Sequence, residues 1–88
     1  EVRQRKLTFK SEIDVRGMRG DEALQAVIYF IDDAVMVGVA SVRILHGTGT
    51  GALRQLIRQY LNTVSGVIRF RDEHVQFGRA GITVVEFE

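Results

Sequence analysis

One histidine, one aspartate and a run of alternating glycines are the residues of this chain whose types and spacing could do chemistry. His46 follows the apolar run of residues 42–45 and opens the turn His46-Gly47-Thr48-Gly49-Thr50-Gly51, which leads straight into a helical pattern. Glycine at every second position lets the backbone take positive φ and come close to a bound group, while N–H groups of the turn and of the first helical turn converge. Such a point of convergence suits an anion. Arg54 falls within about the first turn of the helix, where a cation opposes the macrodipole by roughly 0.3 to 1 kcal/mol, so a negative group beside it would offset that cost. Arg58, four residues on, shares its face.

A histidine beside a phosphate can move protons near neutral pH, and Asp14, at the end of the first strand pattern, could orient it or help to hold a metal. The plainer alternative is that His46 bonds the backbone and shapes the turn. His46 and His74 have no metal-ligand spacing, and a single aspartate does not make a magnesium site. Two other phosphate motifs have a glycine-rich turn between a strand and a helix. A P-loop fails, since no Lys-Ser or Lys-Thr follows Gly51. Gly47, Gly49 and Ala52 satisfy G-x-G-x-x-A, with Asp72 about 20 residues on, but the chain is too short for the usual pair of nucleotide-binding halves. A nucleic-acid backbone, bound through turn amides and arginines, suits the pattern better.

The elements that must position these groups can be read from periodicity. Residues 12–16 alternate, with Ile13 and Val15 opposite Glu12, Asp14 and Arg16, as in a half-buried strand. A helix opens at Gly20 or Asp21 and runs to about Val37, turning Leu24, Val27, Ile28, Ile31, Ala34 and Val35 inward, with Gly38 as its stop. Ala26, Phe30 and Val37 widen that stripe, which fits packing on the neighbouring helix or a partner surface. After the strand of residues 42–45, the second helix buries Leu53, Leu56, Ile57, Tyr60 and Val64. Residues 67–71 place Ile68 and Phe70 opposite Arg69 and Arg71. A last strand, residues 82–87, follows a loop holding Gly78 and Gly81.

The order strand, helix, strand, helix, strand, strand predicts a two-layer α/β sandwich. Right-handed crossovers make the first three strands parallel, and a short connection turns the last one antiparallel to the third, in a four-stranded mixed sheet. Both helices belong on one face, because the other would carry Glu12, Asp14, Arg16, Arg43, Arg69 and Arg71. The carboxyl edge then gathers residues 14–17 with residues 46–51, where ligands of open α/β sheets sit.

At 88 residues the chain has room for one domain, read as residues 12–88 preceded by a polar linker or arm, residues 1–11. It lacks cysteine, which excludes disulfides and thiolate metal sites and fits a reducing cytoplasm, and no apolar run could span a membrane. The net charge of +1 hides an uneven distribution. Between Asp33 and Asp72 there is no acid, while Arg43, Arg54, Arg58, Arg69 and Arg71 all fall there. Arginine's planar fork suits bidentate phosphate contacts, although a solvated basic face would look the same. Replacing Arg54 and Arg58 is expected to leave folding almost untouched, as both fall on the helix's polar face.

Three segments, Ile13-Asp14-Val15-Arg16-Gly17-Met18-Arg19, the run from His46 to Arg54, and Gly81-Ile82-Thr83-Val84-Val85, occur in the order and spacing of the Smr (small MutS-related) domain family. The chain resembles that family over residues 12–87, and its first motif is similar to the form at the C-terminus of a bacterial MutS paralogue. The resemblance implies a fold like the C-terminal domain of a bacterial translation initiation factor. It implies binding to duplex or branched DNA, or to ribosomal RNA on the ribosome, and in several members a nicking endonuclease activity needing a divalent ion such as Mg²⁺ or Mn²⁺. It also implies a parent chain with an ATPase body, acting in suppression of recombination and DNA repair or in ribosome rescue, with no nucleotide bound by the domain itself. Carried onto this sequence, the catalytic positions are His46, Asp14 and Arg16. The backbone-binding ones are Gly47, Thr48, Gly49, Thr50, Gly51, Arg54, Arg58, Arg19 and Arg79. Arg16 stands where many members have histidine, and Arg79 where they have the second glycine of a G-G-x-G loop; both changes favour binding over catalysis.

Overall fold

In the computed structural model, which describes residues 9–73 and 81–88, the expected order of elements is present. These are β1 (Glu12–Asp14), α1 (Gly20–Val37), β2 (Ser41–Leu45), α2 (Ala52–Leu61), β3 (Val67–Glu73) and β4 (Ile82–Phe87). The sheet order is β1-β2-β4-β3. β1 pairs parallel with β2, and β4 pairs antiparallel with both β2 and β3, so β1, β2 and β3 share one direction while β4 fills the place between β2 and β3. Composition explains that placement. β4 is buried along almost its whole length, as a central strand must be, and the arginine-bearing β3 takes the edge.

The core lies between the sheet and the two helices. Val15, Val42, Ile44, Val85 and Phe87 meet Ala23, Val27, Ile31 and Ala34 of α1 and Ile57 and Leu61 of α2. Asp21 and Glu22 complement the macrodipole in the first turn of α1, and Gly38 ends the helix at φ 84°, its N–H donating to the Ala34 carbonyl at 2.9 Å. The inward stripe is narrower than expected, since Val35 is exposed. Phe9, within the stretch read as a linker, stacks on Phe30 with ring centroids 5.5 Å apart, and the Ser11 carbonyl accepts from Arg43 N–H, so the fold takes in the end of that stretch. No helix among the described residues is long and apolar enough to cross a membrane.

One strand departs from simple alternation. Val67 pairs with Phe87 and Arg69 with Glu86, which leaves Ile68 as the extra residue of a β-bulge. Val67 and Phe70 therefore pack on the core, and Ile68, expected inward, is 60% exposed. The helix-free face is charged as expected, yet it neutralises itself. Arg43 pairs with Glu12 and Glu73, and Arg69 and Arg71 share Glu86. Register sets Arg43 and Arg71 on either side of Val84, whose burial on this open face matches cover by long arginine stems.

Candidate nucleic-acid interface

The turn after β2 is built by backbone from two directions. Val15 N–H donates to the Leu45 carbonyl at 2.9 Å, bringing the end of β1 beside it, and the Gly81 carbonyl accepts from both His46 N–H (3.1 Å) and Gly47 N–H (3.2 Å) at the start of β4. That approach explains Gly81: a Cβ there would lie 2.7 Å from the Gly47 carbonyl oxygen and 3.2 Å from His46 Cε1. Within the turn Gly47 and Gly51 take positive φ, 88° and 84°, whereas Gly49 does not. Gly51 is the N-cap of α2, and Thr50 Oγ1 accepts from Ala52 N–H at 3.3 Å.

His46 sits under this turn, only 6% exposed. Its Nδ1 lies 3.0 Å from the Gly47 carbonyl, which can only accept, so Nδ1 carries the proton. Its Nε2 then accepts from Thr83 Oγ1–H at 2.8 Å. Burial pushes the imidazole below its ordinary value, despite the opposing hydrogen bond to Gly47, and it stays neutral. Asp14 does not orient the His46 ring, whose nitrogens meet Gly47 and Thr83. Its carboxylate accepts from Arg16 Nε at 2.8 Å, Nη2 at 2.6 Å and the Arg16 backbone N–H at 3.1 Å, and these bonds hold its pKa down at about 2. Arg16 is thereby fixed beside Gly47, its Cγ 3.6 Å from where a Cβ on that glycine would be.

Two clefts flank the turn. The larger, about 430 Å³, runs from Arg16, Gly17 and Met18 across the residues of the turn to Leu53 and Arg54. It brings together Arg16, His46, Gly47, Thr48, Gly49, Thr50, Gly51 and Arg54 of the expected set. The smaller, about 250 Å³, lies on the β3 side and adds Asp72, Glu73, Gly81 and Ile82. Arg19 caps α1, its side chain toward Asp21 at 3.5 Å and outside the lining of either cleft; Arg79 lies outside the described residues.

Arg54 and Arg58 are together but not free. Arg54 forms a fork on Asp72 (Nε–Oδ1 3.0 Å, Nη2–Oδ2 2.7 Å), and Arg58 Nη2 reaches the same carboxylate at 3.0 Å. The pair of guanidiniums drives the Asp72 pKa far below the carboxylate range. Asp72 is the negative group that the macrodipole cost of Arg54 called for. Arg58 is only 24% exposed and stacks over the Phe70 ring at 5.0 Å, so it belongs to the structure more than its place on the polar stripe suggested. All five arginines of the acid-free interval thus have an acidic partner. Sequence reasoning missed Asp72 as that partner, and missed Thr83, whose signal was a lone hydroxyl at the inward alternation of Val85 and Phe87.

Among the described residues no three His, Cys, Asp or Glu side chains gather as a metal-holding group. Asp14, Asp72 and Glu73, the carboxylates nearest the turn, are each committed to arginine, so this donor set does not fit a protein-held divalent ion.

The Smr domain family model matches residues 13–88. Endonuclease MutS2 of Geobacillus kaustophilus is 44% identical over 77 residues, which are 88% of this chain and 10% of that protein. The crystal structure of the Smr domain of Thermus thermophilus MutS2 superposes with a TM-score of 0.80 at 41% identity, covering 89% of this chain and 98% of the other. YdaL, a stand-alone small MutS-related protein from Escherichia coli, shares the fold at a TM-score of 0.80 and 20% identity, over 88% of this chain and 63% of its own. The chain spans about a tenth of the length of the curated relatives it matches.

Proposed function

The chain belongs to the Smr domain family, and from that premise we propose that it binds the phosphodiester backbone of nucleic acid at the turn between Arg16 and Arg54 and nicks one strand there. The observation that carries this reading is the 430 Å³ groove in which a glycine turn and a helix N-terminus are flanked by Arg16 and Arg54, each forked on a carboxylate that a phosphate would replace. Phosphate oxygens match both kinds of donor, and neither kind reads bases, so binding is independent of sequence. The name endonuclease, carried by the MutS2 relatives, supports cleavage. In that reaction water attacks phosphorus and one P–O bond breaks, and Arg16 and Arg54 are placed to neutralise charge building on the non-bridging oxygens. As part of a longer chain the domain would serve recombination control and DNA repair.

A second reading has an observation of its own. His46 is buried and neutral with both ring nitrogens engaged, which suits a scaffold better than a proton carrier. The domain is then a docking module for branched DNA or ribosomal RNA.

A plasmid-nicking assay with the 88-residue chain and added Mg²⁺ or Mn²⁺ tests both, alongside His46→Gln checked by its melting curve. Nicked circles formed by the wild type and lost in His46→Gln, with binding retained, support the nuclease. Binding without nicking selects the docking module, and an absence of binding overturns both.

A further inference from the structure

Asp72 is held by the same arginines that a phosphate would need. Its two oxygens receive three guanidinium bonds, at 2.7 to 3.0 Å, from Arg54 and Arg58. That arrangement is how arginine forks bind a phosphate. Asp72 lines the smaller cleft and is absent from the larger, while Arg54 lines both. Arg54 can therefore pass from the carboxylate to a ligand in the groove by turning its side chain, with α2 unmoved. Arg58 is held by one nitrogen, and its Nε is buried without a partner among the described residues, so the single carboxylate serves two guanidiniums incompletely.

We propose that Asp72 is an internal stand-in for phosphate, which masks Arg54 and Arg58 in the free domain and is displaced when a nucleic-acid backbone enters the groove. This rests on the reading of the groove as a phosphate site. The mask sets a threshold. An isolated small anion offers Arg54 little more than Asp72 already does, whereas a backbone engages the turn amides, Arg16 and Arg54 together. Asp72 remains ionised throughout the physiological range, its pKa being driven down by both arginines, so a competing polyanion opens the mask and a change of pH does not.

The test compares the 88-residue chain with Asp72→Asn and Glu86→Gln, each titrated with a short mixed-sequence DNA duplex and an RNA hairpin at fixed salt. Glu86→Gln removes an equal charge from the Arg69 and Arg71 pairs on the open face of the sheet. Asp72→Asn should tighten binding roughly three- to tenfold, the factor expected from releasing two exposed ion pairs. Glu86→Gln should change it by less than about twofold, and the gain should vanish when Arg54→Ala and Arg58→Ala are added to Asp72→Asn. Equal tightening by both single variants reduces the effect to net charge and overturns the proposal, as does a Asp72→Asn variant that binds no more tightly. In the wild type, the Arg54 Nε–H and Asp72 carboxyl NMR signals should shift on duplex addition; signals that stay fixed while the duplex binds also overturn it. If no protein binds either ligand, the phosphate-site reading itself fails.

Discussion

Thr83 Oγ1 lies 2.8 Å from His46 Nε2, and this one buried contact ties the turn that begins the groove to the central strand of the sheet. Thr83 has no exposure and His46 very little, so water cannot replace either partner. Thr83→Val keeps the shape and removes the donor. It should destabilise the domain by about 1 to 2 kcal/mol in urea unfolding, the cost of a buried acceptor left alone. A loss near zero would mean that the ring is not held there.

Stability should depend on pH through the same ring. Burial lowers the folded-state pKa of His46 below the ordinary 6.5, so as pH falls the unfolded chain takes up the proton first. The contribution is complete above about pH 6.5 and is lost as pH falls from there through the folded value. At lower pH Asp14 adds a second loss with the same sign, as pH falls from its ordinary 3.8 to about 2. Unfolding free energies at about pH 7.5 and 5 should therefore differ in the wild type, and His46→Gln should flatten that interval.

Gly81→Ala should damage the groove without touching any of its donors. The added methyl carbon would meet the Gly47 carbonyl oxygen at 2.7 Å, a backbone atom that cannot swing aside. Overpacking of this kind costs about 1 to 3 kcal/mol. Amide shifts of residues 46–51 should move together, and a variant with native shifts and stability would contradict the close approach.

Much of this was legible in the sequence because periodicity and turn chemistry are local. The order of elements, the stop at Gly38, the glycine turn and the charged face all follow from neighbours within a few residues. What escaped depends on contacts between distant segments. The bulge at Ile68 is fixed by pairing with β4, and a single extra residue reverses which side chains face inward. The interval of five arginines reads as an open basic surface until Glu12 of β1, Glu86 of β4, and Asp72 and Glu73 at the end of β3 pair with arginines of other elements. Thr83 shows in the sequence as a lone hydroxyl at an inward position of β4, but its partner, His46, lies in a distant segment and could not be read from it.

The central claim is that a nucleic-acid backbone beside the turn takes Arg54, and with it Arg58, from Asp72, although Arg58 lines neither cleft while Asp72 holds it. The dependence of affinity on salt tests this most directly. Arg54→Ala with Arg58→Ala will cost some stability, because Arg58 covers Phe70, by about 0.5 to 1 kcal/mol for the cation–π contact. A melting curve then fixes a temperature at which the variant is folded. With duplex DNA, the slope of log affinity against log salt should become shallower by about two, close to one for each lost phosphate contact, and by the same amount for unrelated sequences. A folded double variant with the wild-type slope would contradict the account and move the interface to the open-face arginines Arg43, Arg69 and Arg71.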